Sequence, residues 1–349
     1  MRVLYATPGH AAHDERFRAA IEDAGHECHV FVIDPEWPTD HALARFRDIL
    51  DRLRPDIVHA GPIDTVARLA ARAGARPLVA ASWAFDLLGE TTGTEAGRNR
   101  AASDLAAADA LIVDCRTVGR AAEALGFPPE RTILLPWGVD LDRFRPGHGD
   151  AATALRASLD WQDATIVVMA RAHEPVYGVD VAVDGFILAA IEQPSLRLLV
   201  AGDGSLTGSL HDRLSQAGMG ERARFMGRVP NTEVPTLLGV ADIYLSASRL
   251  DGSSVTLLEA MAMGLPAVVS DIPGNREWVE DGTTGRLFAD GDAAAAGAAL
   301  ADVAAAPADV RTAYAMAARR AIGERADWQR NVGRLFVAYD IARTAAARG

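Results

Sequence analysis

Two carboxylates stand eight residues apart in the stretch DGSSVTLLEAMAMGLPAVVSDIPGNREWVEDG, which runs from Asp251 to Gly282. Asp251 precedes a Ser-Ser pair, and Glu259 lies about 1.5 turns into the helix predicted for VTLLEAMAMG. Ser253 or Ser254 is a good N-cap, and the free amides of a helix N-terminus suit a phosphate. Both acids then face one cleft. The residues alone leave open the alternative that Glu259 is a solvated helix residue and Asp251 a capping acid.

Short apolar segments alternate with helix-length amphipathic segments along most of the chain. The first set of predicted strands is RVLYAT, ECHVFVID, RPDIVHAG, RPLVAAS, ALIVDC and RTILLPWG. The second set, after Pro146, is ATIVVMAR, LRLLVAGDG, RARFMGR, ADIYLSAS and PAVVSD. Near-continuous apolar strands between helices are typical of parallel sheets that are buried on both faces. We therefore predict an α/β protein with two doubly wound domains.

The predicted domains are residues 1–146 and 151–325, and the Gly/Pro-rich stretch RFRPGHGD is the predicted linker between them. The tail that follows is rich in alanine and arginine and contains no strand pattern. It predicts two or three helices, of which the last spans about 328–349 and carries apolar residues at helical spacing.

Composition limits the classes of partner. The chain has 349 residues and a formal net charge of −12, which opposes non-specific attraction to nucleic acid or to an anionic membrane. All 35 basic residues are arginine, since the sequence contains no lysine. Two cysteines are too few for a disulfide framework or a cysteine metal cluster. No run approaches the roughly 20 apolar residues of a membrane span, and we expect a cytoplasmic protein.

The segment HALARFRDILDRLR carries four arginines beside an apolar stripe. Peripheral contact with the inner face of a membrane is one interpretation. Packing against the protein core is favoured, because such stripes usually face the interior.

Three further signals are weaker. Asp140 and Asp142 form a D-x-D pattern that is explained at least as well by turn chemistry as by a metal. AGDGSLTGSL is rich in glycine but lacks the spacing of a dinucleotide loop. No histidine pair has metal-ligand spacing, so we predict no metal site. Arg171 follows a predicted strand, where its fork of donors suits a diphosphate, although a lone arginine usually belongs to a surface ion pair.

The order of LLPWGVDLDRFRP, MARAHEPVYGVDVAVDGF, LLVAGDGSL, FMGRVPNTEVPTLLGVADIYLSAS and the Asp251 stretch resembles the GT4 family of retaining glycosyltransferases. The resemblance covers nearly the whole chain and is strongest in the C-terminal half. It implies a GT-B fold, in which two Rossmann-like domains face each other and the last helix crosses back onto the first domain. RPLVAASWAFDLLGE and the segment around HDERF are similar to a bacterial subgroup of that family.

The resemblance also implies roles for individual residues. Glu259 would hold the ribose of a sugar nucleotide, and Asp251 would approach the donor sugar. Backbone near Ser254 would contact the diphosphate, and residues 227–229 would lie near the base. The implied donor-binding positions are Glu259, Ser254, Val255, Thr256, Gly227, Val229, Tyr177 and Gly9.

Two positions depart from the family pattern. Tyr177 stands where the family usually has a phosphate-binding lysine, so Arg171 must act with helix amides or another arginine. The family histidine near the reacting centre would fall at about Trp83, and Asp86 is the nearest polar group. The implied catalytic residues are Arg171, Asp251 and Asp86.

We therefore expect a retaining, metal-independent glycosyltransferase that needs no cofactor beyond its co-substrate, a nucleotide-diphosphate sugar. Its donor would lie mostly on the C-terminal domain, and a sugar, a lipid-linked molecule or a small molecule would be the acceptor at the N-terminal one. Two alternatives stay open. One is a sugar-nucleotide epimerase of the same fold, and the other is a degenerate sugar-nucleotide binder, which Tyr177 and Asp251 motivate.

Overall fold

The computed structural model describes residues 1–9, 12–147 and 149–348. The chain divides into two compact units, the first formed by Met1–Trp137 with Gln329–Gly349 and the second by Gly138–Trp328. Residues 138–146, which the sequence placed in the first domain, thus belong to the second unit. Most of the expected linker, 143–150, also lies in that unit, and its His148 is outside the described residues.

The first unit is built around a parallel sheet in the order β2-β1-β3-β4-β5-β6. Its strands are β1 (Arg2–Thr7), β2 (Glu27–Val32), β3 (Ile57–Ala60), β4 (Leu78–Ala81), β5 (Ala110–Val113) and β6 (Thr132–Leu134). Its helices are α1 (Ala12–Asp23), α2 (Thr39–Leu53), α3 (Arg68–Ala73), α4 (Phe85–Leu88), α5 (Glu95–Ala106), α6 (Arg116–Ala124) and, from the tail, α16 (Gly333–Arg348). Strands β3, β4 and β5 are buried over their whole length, because helices cover both faces of the sheet.

Helix α16 packs on strands β3 to β6 of the first unit. Its Tyr339 is fully buried, and its hydroxyl lies 3.1 Å from Nδ1 of His59 on β3. The ring of His59 also meets the edges of Tyr5 and Phe17. Because this environment is apolar, burial lowers the pKa of His59 to about 3, with a smaller contribution from His13.

The second unit repeats the architecture with the sheet order β12-β11-β10-β7-β8-β9. Its strands are β7 (Thr165–Ala170), β8 (Leu196–Ala201), β9 (Ala223–Gly227), β10 (Ile243–Ser246), β11 (Ala267–Ser270) and β12 (Gly285–Phe288). Its helices are α7 (Asp150–Ser158), α8 (Val179–Glu192), α9 (Thr207–Gln216), α10 (Val234–Gly239), α11 (Val255–Ala262), α12 (Pro273–Arg276), α13 (Ala293–Ala305) and α14 (Ala308–Arg325). The short helix α15 (Trp328–Asn331) precedes α16.

Each sheet has a topological switch point, where successive connections leave in opposite directions. In the first unit it lies between β1 and β3, and in the second between β7 and β10. Loops at the carboxyl ends of two such strands diverge and leave a crevice, which is where open α/β sheets bind ligands.

The structure corrects two expectations about local structure. Strand β12 was missed, because the four-residue segment GRLF is short and includes an arginine. The predicted last helix is interrupted at Val332, so Trp328 belongs to α15 and not to α16. Hydrogen bonds from Val139 N to Ala326 O (2.7 Å) and from Trp328 N to Val139 O (3.0 Å) hold residues 326–328 as an isolated bridge in the second unit.

Helix α2 contains most of the arginine-rich segment that left a membrane interpretation open. Ala42 and Phe46 are buried, and the apolar residues Ile49, Leu50 and Leu53 pack against the core of the first unit. The stripe therefore faces the interior, as favoured. Among the described residues, no single helix is both long and apolar enough to span a bilayer; only α13 and α14 together reach that length, and they are bent by 110°.

The depressed pKa of His59 predicts that acid destabilises the first unit. Because the unfolded chain takes up a proton near pH 6.5 and the folded chain does not, stability is complete above that pH and declines as pH falls towards about 3. Lowering the pH from about 6.5 to about 5 should cost about 2 kcal/mol through this residue. The measurement is urea denaturation of the wild type and of His59→Gln, which keeps an acceptor for Tyr339. An equal pH dependence in both proteins would contradict the assignment.

Candidate functional site

The switch point of the second unit brings together Arg171, which follows β7, and the loop that follows β10. Nη1 of Arg171 donates to Oγ of Ser254 at 2.6 Å. Nη2 donates to Oδ2 of Asp251 at 2.5 Å. One guanidinium thus joins the two loops that frame the crevice.

The guanidinium of Arg171 is nearly enclosed. The side chains of Arg171 and Asp251 are both 11% exposed, and the guanidinium carbon lies 4.1 Å from the centroid of the Tyr177 ring. Burial opposes the charge on Arg171, but Asp251, Tyr244 and Tyr177 outweigh it and raise the pKa of the group. Nε of Arg171 is buried and has no hydrogen-bond partner among the described residues. It is a donor directed at no protein acceptor, within a cationic group that stays charged.

Helix α11 begins beside Arg171. Ser254 is its N-cap, with a side-chain oxygen that accepts from Leu257 N at 3.5 Å. The hydroxyl of Thr256 donates to the carbonyl of Ala170 at 3.1 Å, at the end of β7, and lies 2.9 Å from the hydroxyl of Tyr244. The side chain of Thr256 therefore fixes the helix to the strand. The first-turn amides of α11, at residues 255 and 256, have no acceptor within their own helix.

Glu259 lies on α11 and is 2% exposed. The alternative of a solvated helix residue is therefore wrong. Asp251 does not cap the helix either, since that role belongs to Ser254 and Asp251 is paired with Arg171. The two acids of the motif thus occupy different environments, one in an ion pair and one inside the unit.

Two glycines allow the backbone segments of this site to meet. Gly178, at φ +55°, precedes α8, and a Cβ there would overlap the carbonyl oxygen of Ala247 after β10. A Cβ on Gly274 of α12 would overlap the carbonyls of Asp251 and Gly252. A larger residue at either place would push apart the loops that hold the ion pair.

The AGDGSL loop, which the sequence left as a weak signal, lies at the same sheet edge. Glu174, after β7, accepts from Ser205 N at 2.9 Å and from Ser205 Oγ at 2.6 Å. Gly202 N donates to the carbonyl of Gly227 at 2.8 Å. These bonds link the loops after β7, β8 and β9, so that Gly227 and the half-buried Val229 belong to the same edge as Arg171. The spacing of these residues in the sequence did not predict the contact between Glu174 and Ser205.

Residues after β11 hold the loop that contains Asp251 through hydrogen bonds. Trp278 Nε1 donates to Ser253 Oγ at 3.1 Å, and Asn275 Nδ2 donates to Ser270 O at 2.9 Å. Both Asn275 and Trp278 are buried. They stand in the stretch SDIPGNREW, and no local pattern predicted a role for either of them.

The remaining predicted residues, Asp86 and Gly9, belong to the first unit. Both carboxylate oxygens of Asp86 are engaged, one by Ser82 Oγ at 2.5 Å and the other by Ile63 N at 2.8 Å and Trp83 N at 3.2 Å. Burial raises the pKa of Asp86 to about 6, against the lowering effect of these bonds. Asp86 therefore organises the backbone after β3 and β4, and the catalytic role implied for it stays a prediction. Gly9 lies in the loop after β1, and its N–H is 3.5 Å from Thr7 Oγ1.

An imidazole that the sequence did not identify lies against Trp83. His13, in the first turn of α1, meets the ring of Trp83 edge-on at 4.8 Å and stacks on Trp137 at 4.5 Å. Its Nε2 is buried and has no hydrogen-bond partner among the described residues, and burial lowers its pKa. The HDERF segment contained this residue, but its contact with Trp83 depends on the fold.

The D-x-D pattern is a turn. Oδ1 of Asp140 accepts from Asp142 N at 3.0 Å and from Arg143 N at 3.1 Å. Across the described residues, no group of three or more His, Cys, Asp and Glu side chains is arranged to hold a metal ion. Independence of metals stays a prediction.

Comparison with known proteins identifies the family. A model described as Glycosyltransferase Family 4 matches residues 2–143, and one described as Glycosyl transferases group 1 matches residues 163–306. The chain is 29% identical over 262 residues to a GDP-mannose-dependent alpha-(1-6)-phosphatidylinositol monomannoside mannosyltransferase of Mycolicibacterium smegmatis, covering 71% of this chain and 66% of that protein. It is 30% identical over 248 residues to a D-inositol 3-phosphate glycosyltransferase of Geodermatophilus obscurus, covering 68% and 54%. The chain thus spans less than two thirds of the length of these relatives.

Solved structures agree on the fold. Anabaena HepE in complex with UDP and glucose matches with a TM-score of 0.79 at 17% identity, over 99% of this chain and 100% of that one. Sucrose-phosphate synthase from Thermosynechococcus elongatus matches with a TM-score of 0.81 at 16% identity, over 99% of each chain. The architecture is the GT-B fold of glycosyltransferases, as predicted. The chain belongs to glycosyltransferase family 4, and the resemblance stated from the motifs is confirmed.

The buried ion pair of this site predicts the cost of removing its acid. Asp251→Asn leaves Arg171 charged, buried and without a counterion, which should lower the free energy of unfolding of the second unit by about 3–5 kcal/mol. The matched control is Asp302→Asn, whose carboxylate is 63% exposed and pairs with Arg286 at 2.9 Å. The control should lose at most about 1 kcal/mol. Urea denaturation measures both, and equal losses would show that the Arg171 pair is only a surface pair.

Proposed function

We propose that this protein is a glycosyltransferase that moves a sugar from a nucleotide-diphosphate donor to a hydroxyl acceptor. The observation that carries the proposal is the pairing of Arg171 with the N-terminus of α11 at the switch point of the second unit. A fixed cation, an unpartnered Nε–H and free helix amides converge there. A diphosphate is the ligand that such donors fit.

The donor class is supported by the relatives. The Mycolicibacterium smegmatis protein is named as GDP-mannose-dependent, and the Anabaena structure contains UDP and glucose. Both names describe a nucleoside diphosphate and a hexose. We propose the same class for this chain, with the ribose near Glu259 and the base near Gly227 and Val229. Neither the base nor the hexose is specified by these residues.

Bond cleavage would leave negative charge on the outer phosphate and an oxocarbenium-like sugar. In the proposed mechanism, Nε–H of Arg171 and the amides of residues 255 and 256 stabilise that charge as it develops. Groups of this kind are effective because they are oriented before the reaction begins. Arg171 is held from one side by Asp251 and from another by the Tyr177 ring, so it needs little reorganisation.

Asp251 and Tyr177 take on positioning roles in this proposal. Asp251 orients the guanidinium, in addition to any contact with the donor sugar. Tyr177 covers the guanidinium where the family usually has a lysine. Burial raises the pKa of Tyr177, so the ring is neutral and supplies no charge to the phosphate. Arg171 and the helix amides must therefore do the work that a second cation would share.

Further features extend the proposal. We propose retention of configuration, because the chain belongs to a family of retaining enzymes, and transfer of the acceptor proton to the leaving phosphate. We propose no cofactor and no metal. The acceptor is a sugar, a lipid-linked molecule or a small molecule, and the inositol-containing acceptors in the relatives' names make a cyclic polyol a reasonable first choice. The cytoplasmic location expected from the sequence stays a prediction.

The test is incubation with UDP-, GDP- and ADP-sugars, with and without candidate acceptors. Release of nucleotide that depends on the acceptor identifies a transferase. An isomerised donor sugar identifies the alternative epimerase, and binding without turnover identifies a degenerate sugar-nucleotide binder. Either of the last two results contradicts the proposal.

Arg171→Ala should lower kcat about 10²–10³-fold, because it removes a donor that acts on the leaving phosphate. Arg171→Lys should recover only part of the loss, since a point charge cannot reproduce a planar fork. The matched control is Arg213→Ala, which removes a 40% exposed partner of Asp184.

Turnover of these arginine variants is measured with the identified donor, below the melting temperature of each protein. A full kcat in Arg171→Ala would place the phosphate site elsewhere. A full kcat in Arg171→Lys would show that charge alone suffices.

Glu259→Ala should weaken donor binding by about 1.5–3 kcal/mol, the value of a hydrogen bond to a charged group. That corresponds to a Kd about 10- to 150-fold higher, measured by titration calorimetry. Glu259→Gln is the control for packing, because it keeps the shape and loses the charge. An unchanged Kd in a folded Glu259→Ala protein would remove Glu259 from the donor site.

A further inference from the structure

His173 is a fully buried histidine in the loop after β7, two residues beyond Arg171. The backbone here continues the pairing of β7 with the chain after β8. Arg171 N donates to the carbonyl of Ala201 at 3.1 Å. His173 N donates to the carbonyl of Asp203 at 2.9 Å, and its own carbonyl accepts from Leu206 N at 2.9 Å. The loop that carries Arg171 is therefore bound through its backbone to the loop after β8.

The ring of His173 contacts three further parts of the second unit. Nδ1 lies 2.8 Å from Oγ1 of Thr207, the first residue of α9. The ring meets Phe225 of β9 edge-on, with 6.3 Å between the ring centroids. Nε2 lies against Gly202, since a Cβ on that glycine would be 3.2 Å from Nε2 and would overlap the carbonyl oxygen of Arg171. One side chain thus contacts α9, β9 and the loop after β8.

The hydrogen bonds of Thr207 determine which ring nitrogen of His173 carries the hydrogen. The Thr207 hydroxyl has one hydrogen, and it can donate to Oδ1 of Asp203 at 3.0 Å or to the carbonyl of Gly204 at 2.9 Å. Bonds from Gly204 N and Thr207 lower the pKa of Asp203, so its carboxylate only accepts. Oγ1 therefore presents a lone pair to His173, and Nδ1 is the protonated nitrogen. Burial lowers the pKa of His173, so the ring is neutral and Nε2 is a bare acceptor.

The second ring nitrogen of His173 is unused by the protein. Nε2 is buried and has no hydrogen-bond partner in the described part of the chain. A buried acceptor without a donor is destabilising. A side chain that only filled this space would avoid that cost by being apolar. The bond from Nδ1–H to Thr207 is therefore what a histidine supplies here and an apolar residue would not.

The two sides of this loop are fixed to different neighbours. On the side of β10, Arg249 N donates to the carbonyl of Val176 at 2.9 Å. On the side of β8, His173 binds a loop that itself reaches the proposed base position, because Gly202 N donates to the carbonyl of Gly227 at 2.8 Å. His173 thus lies between the phosphate side and the base side of the candidate site.

We propose that His173 is a positioning residue of the donor site: through the bond from Nδ1–H to Thr207, it fixes the separation between Arg171 and the base position at Gly227. The inference rests on the proposed function, because a nucleoside diphosphate is the ligand that spans these two positions. Since its ring is buried, His173 does not touch the donor and takes no part in bond cleavage. Loss of the bond should weaken a ligand that engages both positions and spare one that engages the phosphate side alone.

The experiment compares the binding of nucleoside diphosphates and of inorganic pyrophosphate to variants of the full chain by titration calorimetry. The probes are UDP, GDP and ADP, and the one that binds the wild type is used throughout. His173→Leu fills most of the space of the ring without polar atoms. It should raise the Kd of the nucleoside diphosphate about 10-fold, the effect of one lost hydrogen bond, and leave the Kd of pyrophosphate unchanged.

Rescue by conservative variants separates the Nδ1 bond from packing. His173→Asn places an amide N–H at the position of Nδ1–H and should restore most of the affinity, whereas His173→Gln places its amide near Nε2 and should not. In a Thr207→Val background, His173→Asn and His173→Leu should bind equally weakly, because the acceptor is gone. The matched control is His211→Asn, since His211 is exposed and also stacks on Phe225, and it should bind as the wild type does.

Nuclear magnetic resonance of the wild type gives a second readout that does not depend on how the variants fold. A long-range proton–nitrogen correlation spectrum should show His173 protonated at Nδ1 and bare at Nε2. Melting temperatures establish which variants are folded. The inference is overturned if Nε2 carries the hydrogen, if folded His173→Leu binds the nucleoside diphosphate as the wild type does or loses pyrophosphate equally, or if His173→Asn and His173→Gln behave alike.

Failure of this inference and failure of the proposed function give different results. A wild type that binds none of the three nucleoside diphosphates contradicts the proposed function, and the role of His173 falls with it. A wild type that binds one of them, with variants that bind equally well, contradicts only the role of His173.

Discussion

The second unit depends on one buried ion pair at the point where its sheet changes direction. The loops after β7 and β10 start on neighbouring strands and then diverge, and beyond the sheet they are joined by a backbone bond from Arg249 N to Val176 O (2.9 Å) and by the bond from Thr256 to Ala170. Arg171 adds the charged link between them, through Asp251 and Ser254. Burying a guanidinium is costly unless a counterion and hydrogen bonds accompany it, and this pair supplies both. The same pair fixes the start of α11, on which the donor amides and Glu259 depend.

Much of this arrangement was predictable from the sequence, for physical reasons. Parallel strands that are buried on both faces appear in a sequence as apolar runs, and eleven of the twelve strands in the described part of the chain were predicted in this way. Ser254 as N-cap and Arg171 at a strand end follow from local rules. The pairing of Arg171 with Asp251 does not, because the two residues are 80 positions apart and only the sheet order makes them neighbours. For the same reason, the sequence did not predict the contact of His13 with Trp83 or the bond between Glu174 and Ser205. It also did not predict the structural role of Asp86. The start of α16 was misplaced: the helix is interrupted at Val332, and just before it Ala326 and Trp328 bond to Val139, which is far away in sequence.

The second unit gathers its candidate ligand-binding groups at the switch point of its sheet. At the switch point of the second unit, the lining is a cation, helix amides and close-approaching glycines, which favours a charged phosphate group. The fold places the crevice, and we propose that the residues at the strand ends of the second unit select a phosphate group.

The sequence contains no lysine, and this limits how the second unit could bind a diphosphate. A donor diphosphate brings two negative charges to a site where Arg171 is already paired with Asp251 and Tyr177 is neutral. Net charge therefore contributes little to attraction, and oriented donors must contribute more: Nε of Arg171 and the first-turn amides of α11. Oriented donors act only over short distances, so their value depends on how closely the backbone approaches the ligand. That explains why glycines stand at 178 and 274, where the segments around the ion pair come too close for any side chain. In the proposed mechanism, precise backbone placement substitutes for the second cation.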